Sequence, residues 1–132
     1  MIRTGFKKSA FNSSQQYKNE ERVAMNQTAT NLIKDFSDET RRILKDNLVA
    51  EYLFGSVARD DASEFSDIDI LIIVKHFDYQ IRKELSRLSS KYSLRHGVYI
   101  SPIVKDVKIW EKNAFYKTLF YQEIQRDSVR LC

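Results

Sequence analysis

Residues 53–75 read LFGSVARDDASEFSDIDILIIVK, and this stretch decides the fold of the chain. It predicts a strand that ends at Gly55, a short helix, a polar loop and then a second strand. Asp67 and Asp69 open the second strand, and the apolar run 70–74 that follows is typical of a buried strand. We therefore expect a strand–helix–strand unit around which the other elements pack.

The segments before this unit predict helix and then strand. Apolar residues recur at helical spacing over 26–36. Ser37, followed by two acidic residues, is a helix N-terminus signal and predicts a second helix over 38–47. The two segments could also form one helix with a break at Ser37. Residues 48–54 predict a buried strand that leads into Gly55.

The segments after the unit predict three helices and one strand. Residues 77–93 have one apolar helix face. Pro102 lacks an N–H, so the strand over 98–104 is expected at a sheet edge or with a bulge. A short helix over 106–111 precedes a final helix over about 115–125. The inward residues predicted for the two longer helices are Ile81, Leu85, Leu88 and Tyr92, and then Phe115, Leu119, Phe120 and Ile124, with Asn113 as the final cap.

With adjacent helices counted as one helical segment, the coarse predicted order is α, β, short α, β, α, β, α. It gives the fold class α/β (α+β), a small mixed sheet of three or more strands packed by helices. At 132 residues, one domain is expected. We place that domain at 25–132, after a polar basic tail, 1–24, that is disordered or weakly helical. One hypothesis is that Met25 is the initiator.

Composition and charge bear on nucleic-acid binding, on the cellular compartment and on membrane association. The net charge is +4, yet residues 1–18 carry four basic and no acidic side chains, so the rest of the chain is neutral. The charge is therefore weak support for nucleic-acid binding by the folded part. The chain has one cysteine, Cys132, and no apolar run of membrane-spanning length. These features predict a cytoplasmic protein without a membrane anchor.

Asp67 and Asp69 are the candidate catalytic and metal-ligating residues. In a strand, residues i and i+2 point to the same side, with Cα atoms roughly 6.5 Å apart. Two carboxylates that converge in this way repel each other unless a cation lies between them. Mg²⁺ is suited to such a pair, because it takes oxygen ligands and completes its shell with water and substrate phosphates. The pair therefore predicts a Mg²⁺ site, with room for a two-metal arrangement.

Gly55 and Ser56 are the candidate phosphate-binding residues. A glycine between a strand and a helix lets the backbone approach a phosphate, and the first helical N–H groups have no acceptor within the helix. Arg59 could contact a phosphate or brace the loop, and Ser66 could fix the entry to the second strand. Each feature alone is weak: an Asp-x-Asp at a strand start is often only a solvated strand edge.

The motif GSVAR at 55–59, then SDID at 66–69 and ILIIV at 70–74, resembles the signature of the minimal nucleotidyltransferase domain. This family belongs to the DNA polymerase beta-like nucleotidyltransferase superfamily. The resemblance implies the nucleotidyltransferase fold, with Gly55 and Ser56 on the triphosphate of a nucleotide such as ATP. It implies Mg²⁺ on Asp67 and Asp69, and transfer of a nucleoside monophosphate to an acceptor hydroxyl with release of pyrophosphate.

The third strand departs from the family pattern. Active members usually carry a third carboxylate there, and 98–104 contains no acid. Ser101 is predicted to occupy that position, while Asp106 and Glu64 are remote substitutes. Two functions therefore stay open: an active transferase, or a catalytically weak module of the same fold that binds a nucleotide or a protein.

The resemblance also implies partners. Small members of the family are often paired with a helical HEPN-type protein in toxin–antitoxin modules, where the nucleotidyltransferase protein neutralises the toxin. In some pairs it adenylylates the toxin. A core without a separate acceptor-binding domain is expected to rely on such a partner or on a second copy in a homodimer. The acceptor itself stays open.

Overall fold

The computed structural model describes residues 16–59 and 67–132, with side chains described from Thr28 onward. Within these residues a 3₁₀ turn, Lys45–Asn47, joins the first helix to the first strand. The α-helices are α1 Gln16–Leu44, α2 Gly55–Ala58, α3 Tyr79–His96, α4 Val107–Tyr116 and α5 Leu119–Asp127. The strands are β1 Leu48–Phe54, β2 Ile68–Val74, β3 Ile100–Asp106 and β4 Val129–Arg130.

The four strands form one mixed sheet in the order β3-β2-β1-β4. β1 runs antiparallel to both β2 and β4, and β2 runs parallel to β3. The predicted mixed sheet packed by helices is confirmed. β3 lies at the edge of the sheet, as Pro102 indicated. A strand at the edge pairs on one side only, so the N–H that proline lacks is not needed for pairing on the other side. β4 was not predicted, since two residues are too few to show a hydrophobic period.

The sheet is covered on both faces, so β2 is a continuous apolar run rather than an alternating one. Ile70, Ile72 and Val74 are fully buried in a cluster with α1 and α3. Leu71 and Ile73 point to the opposite face, into a smaller cluster with α4 and α5. The helix face predicted within 77–93 is confirmed: Leu85, Leu88 and Tyr92 are buried, and Ile81 packs against them.

α1 is one continuous helix, and the break predicted at Ser37 is wrong. Ser37 lies within the helix, is buried, and its Oγ donates a hydrogen bond to Oε2 of Glu51 at 2.9 Å. The hydroxyl that read as a helix cap therefore has its partner in β1. The helix ends at Leu44, and the next three residues form the 3₁₀ turn rather than the end of a helix.

The last two helices were predicted over 106–111 and about 115–125, and they are observed as α4 Val107–Tyr116 and α5 Leu119–Asp127, so the break between them lies further along the chain. Lys117 adopts a left-handed backbone conformation with φ of +49°, which ends α4. Thr118 caps α5 by accepting the N–H of Tyr121. The prediction that Asn113 caps this helix is wrong, because Asn113 lies inside α4 and its Oδ1 accepts the Thr118 hydroxyl.

The inward face predicted for that helix is half wrong. Ile124 is buried and Phe120 packs into the smaller cluster. Phe115 and Leu119 are instead 79% and 84% exposed, because the turn at Lys117 breaks the helical register that would have carried them inward. No helix in the described part of the chain is long and apolar enough to cross a membrane.

Glu51 is a buried acid at the centre of β1, on the α1 side of the sheet. It has no exposed surface, and its Oε1 has no hydrogen-bond partner. Burial raises the pKa of Glu51 from 4.5 to about 7, with the nearby Asp38 charge adding to the shift. The Ser37 hydroxyl and the Arg41 charge oppose it. The carboxyl is therefore held partly protonated in the folded protein at neutral pH.

This raised pKa predicts that the free energy of unfolding falls as pH rises. Between pH 4.5 and about 7 the folded protein holds the Glu51 proton more tightly than the unfolded chain. Stability contributed by the protonated form is therefore lost across this interval, by up to about 3 kcal/mol. Glu51→Gln should remove most of that decline and be more stable than the parent at pH 8, measured by urea unfolding from pH 4 to 8.

Glu111→Gln is the matched control, because Glu111 is an exposed acid on α4. It should keep the pH dependence of the parent. An unchanged decline in Glu51→Gln would assign the pH dependence to other groups.

Candidate functional site

The site lies at the end of the sheet where β1 finishes and β2 begins. The strand register aligns Phe54 on β1, Asp69 on β2 and Ser101 on β3. We call these three residues the Asp69 row. Residues aligned across a sheet point to the same face, so Asp69 and Ser101 are side by side on the α4–α5 face. This register places Ser101 where the sequence predicted it, in the third-strand position.

Gly55 lies so close to Asp69 that only glycine fits at this position. Its φ is +79°, a left-handed conformation that residues with a Cβ rarely adopt. A Cβ at this position would overlap Oδ2 of Asp69 and lie 3.2 Å from its Cγ. The absence of a side chain at Gly55 thus lets the carboxylate rest directly on the backbone that begins α2. The turn and the carboxylate form one unit.

α2 follows this turn and is only four residues long, Gly55–Ala58. Gly55 and Ala58 are buried, whereas Ser56 is half-buried beside the row. The short helix predicted after Gly55 is confirmed. A first helical turn leaves N–H groups without acceptors inside the helix, which suits an anion.

The two carboxylates of β2 differ in environment. Asp67 precedes the strand and is exposed, while Asp69 is half-buried within it. Burial raises the pKa of Asp69 from 3.8, and the negative charges of Asp67 and then Glu123 raise it further. The Arg59 guanidinium acts in the opposite direction. The site therefore concentrates negative charge that a cation would stabilise.

Arg59 and Glu123 bring a further ion pair to this end of the sheet. Nη1 of Arg59 lies 3.6 Å from Oε1 of Glu123, which belongs to α5. Glu123 was not among the predicted site residues. Its only signal in the sequence is its place next to the buried Ile124, on the flank of the apolar stripe of α5. An acid on such a flank is usually just solvated, so the sequence gives no reason to select it.

The remaining candidates are not all brought together. Ser66 and Glu64 lie outside the described residues, so the role predicted for Ser66 stays a prediction. Asp106 lies at the opposite end of β3, where it pairs with Val74 and its Oδ1 caps α4 by accepting the N–H of Ile109. It is a structural cap and cannot substitute for the missing acid.

The donor set at Asp67 and Asp69 fits a hard divalent cation. Both side chains offer carboxylate oxygens, the ligand type that Mg²⁺ prefers. The Asp69 carboxylate lies close to the Gly55 backbone. A cation bound by that carboxylate would therefore lie near a phosphate bound at the Gly55 turn. Among the described residues no three His, Cys, Asp or Glu side chains converge on one point. Water and substrate oxygens suit the remaining positions in the shell of such an ion.

The profile of the nucleotidyltransferase domain family matches residues 33–130 of the chain. The chain belongs to the nucleotidyltransferase domain family. This match spans the sheet, the Gly55 turn and both carboxylates. The family predicted from 53–74 is therefore confirmed.

Two named proteins are similar in sequence to this chain. One is the Methanocaldococcus jannaschii protein named "Putative protein adenylyltransferase MJ0141". It is 37% identical over 101 residues, which cover 76% of this chain and 95% of the relative. A second from the same organism, "Putative protein adenylyltransferase MJ0604", is 38% identical over 81 residues, covering 61% of this chain and 76% of the relative.

Solved structures show the same nucleotidyltransferase fold. A structure titled as a putative nucleotidyltransferase from Sulfolobus solfataricus aligns with a TM-score of 0.51 and 26% identity, over 84% of this chain and 82% of that one. A toxin–antitoxin structure with AMP-PNP aligns with a TM-score of 0.52 and 19% identity, over 75% of this chain and 72% of that one. The second likeness bears on the fold alone.

Proposed function

We propose that this nucleotidyltransferase-family protein is a Mg²⁺-dependent enzyme. It moves a nucleoside monophosphate from a nucleoside triphosphate to an acceptor hydroxyl and releases pyrophosphate. The observation that carries the proposal is the close contact between the Asp69 carboxylate and the backbone of Gly55. That contact joins a metal-binding carboxylate to a backbone turn suited to phosphate. ATP is the proposed nucleotide, because the relatives are named as adenylyltransferases.

The residues have distinct proposed roles. Asp67 and Asp69 would hold Mg²⁺, which would supply positive charge to neutralise and orient the phosphates. Gly55 and Ser56 bind the triphosphate through backbone N–H groups and the serine hydroxyl. Arg59 contributes positive charge at the same end of the sheet, and Ser66 supports the entry to β2. The single cysteine and the proposed use of ATP support a cytoplasmic location for the reaction.

The proposed acceptor is a hydroxyl on a protein. The relatives' names describe protein adenylyltransferases, and one structure of the same fold is a toxin–antitoxin complex. We therefore propose a helical HEPN-type protein as the partner. Its test is incubation of the chain with Mg²⁺, a co-expressed HEPN-type protein and ATP labelled at the α-phosphate. Label on the partner is the expected result, while label on neither protein with Mg²⁺ or Mn²⁺ would contradict transfer.

A second candidate function is binding of a protein partner without turnover. It is favoured by three exposed apolar side chains at the α4–α5 turn, Phe115, Tyr116 and Leu119, which we call the apolar tip. The rings of Phe115 and Tyr116 pack edge to face at 5.0 Å, so they present one continuous surface. Clustered exposed apolar side chains of this kind mark interaction sites.

Substitutions in the apolar tip separate partner binding from nucleotide binding. Phe115→Ser with Leu119→Ser should weaken the affinity for the co-expressed HEPN-type partner about 30-fold, since buried interface anchors contribute about 2 kcal/mol. The affinity for Mg²⁺ and ATP should stay within twofold, measured by calorimetry.

Leu94→Ser is the matched control for the apolar tip, because Leu94 is an 89% exposed leucine on α3. It should bind the partner like the parent. Equal partner affinity in all three proteins would exclude the tip as the contact surface.

A further inference from the structure

β3 provides no carboxylate to the site. Ser101 fills the place beside Asp69 in the Asp69 row, and the strand's acid, Asp106, is committed to capping α4. A serine hydroxyl is a poor proton acceptor at neutral pH. A carboxylate base for an acceptor hydroxyl would therefore come from an element other than β3.

α5 brings such a group to the correct end of the sheet. Its buried stripe anchors it there: Ile124 is 1% exposed, and the Phe120 ring packs edge to face on Phe54, at 5.3 Å. Phe54 immediately precedes Gly55 and belongs to the Asp69 row. This packing carries Glu123, the neighbour of Ile124, to the Arg59 guanidinium at 3.6 Å.

Glu123 contributes to the electrostatics of the site. Its negative charge is among the causes that raise the pKa of Asp69. Its ion pair with Arg59 is a minor structural element, since the side chains are 38% and 33% exposed and surface pairs contribute little to stability. The described residues contain no three-carboxylate cluster, so Glu123 lies beside the metal ligands rather than among them.

We propose that Glu123 supplies the carboxylate that β3 lacks and accepts the proton of the acceptor hydroxyl. This inference rests on the proposed function. The acceptor oxygen forms a bond to the α-phosphorus, and the bond from that phosphorus to the bridging oxygen breaks. The electron pair of the broken bond leaves with pyrophosphate, and the hydroxyl proton moves to Glu123. A positioned general base of this kind contributes about 10²- to 10⁴-fold in rate.

The test compares Glu123→Gln, Glu123→Asp and the control Glu111→Gln, an exposed acid on α4. Two quantities are measured: the rate of α-phosphate label transfer to the HEPN-type partner, and the calorimetric Kd for ATP with Mg²⁺. Glu123→Gln should lose at least about 100-fold in rate with Kd within twofold of the parent. Glu123→Asp should recover part of that loss, and Glu111→Gln should match the parent.

Each alternative outcome has a distinct meaning. A parent that transfers label and a Glu123→Gln variant that transfers it equally well would overturn the inference alone. Parallel losses of rate and ATP affinity would also overturn it, because they would show that Glu123 acts by holding Arg59. A parent that binds ATP and transfers nothing would overturn the proposed function, and this inference with it.

Discussion

Asp69→Asn is expected to lower the rate of nucleotidyl transfer by about 1000-fold or more. Such a loss corresponds to about 4 kcal/mol of transition-state stabilisation, the scale expected when a metal-ligating carboxylate is removed. Mg²⁺-dependent binding of ATP should weaken in the same variant, and Asp67→Asn with Asp69→Asn should abolish it. Label transfer from ATP and calorimetry with and without Mg²⁺ measure the two effects.

The fold should survive this substitution. Asparagine has nearly the same shape as aspartate, and loss of the charge removes both the cost of burying it and the repulsion from nearby acids, which together raise the pKa of Asp69. Asp46→Asn is the matched control, since Asp46 is exposed in the 3₁₀ turn before β1, away from the Asp69 row. Mg²⁺-dependent binding of ATP that is as strong in the double variant as in the parent would exclude these aspartates as metal ligands.

Gly55→Ala is expected to lower both the rate of transfer and the affinity for ATP. An alanine Cβ would overlap the Asp69 carboxylate, and φ of +79° strains any residue with a side chain. Relief requires Asp69 or the start of α2 to move. Displacements of about 1 Å at a reacting centre can cost about 100-fold in rate, and we expect a loss of that size in transfer. Affinity for ATP with Mg²⁺ should fall as well.

Gly97→Ala distinguishes the effect of the steric overlap with Asp69 from the effect of backbone strain alone. Gly97 ends α3 with φ of +66°, a similar conformation, but an added Cβ there would meet nothing within 4 Å. Both variants should lose about 1 kcal/mol or more of unfolding free energy from backbone strain. Only Gly55→Ala should lose transfer and ATP affinity. Equal activity in the two alanine variants would show that the contact between Gly55 and Asp69 is not required.

The elements with strong local patterns were predictable. β1 was predicted at its observed bounds, because an apolar run ends there at a glycine. The buried face of α3 was predictable from its helical spacing, since one stripe faces the core. The errors fall where a local signal had a distant partner. Ser37 reads as a cap, but its hydroxyl bonds to Glu51 across the core.

The candidate site shows the same division. Asp67 and Asp69 lie two residues apart, so their spacing alone predicts that their carboxylates converge. Ser101 was predicted for the third-strand position that the family resemblance implies, and its register with Asp69 agrees with that prediction. Glu123 could not be predicted, because its place beside Arg59 depends on how α5 packs on Phe54. Residues 53–54 and 123–124 are far apart in the chain.

By itself the sequence determined the strand–helix–strand unit, the pair of carboxylates and the family. These depend on backbone periodicity and on glycine's freedom at a turn, which act over a few residues. Only the tertiary structure decided that Asp69 rests on Gly55, that the apolar tip is exposed and that α5 brings an acid to the site. Those outcomes depend on contacts between distant segments, whose geometry is set when the helices pack on the sheet and no local pattern encodes it.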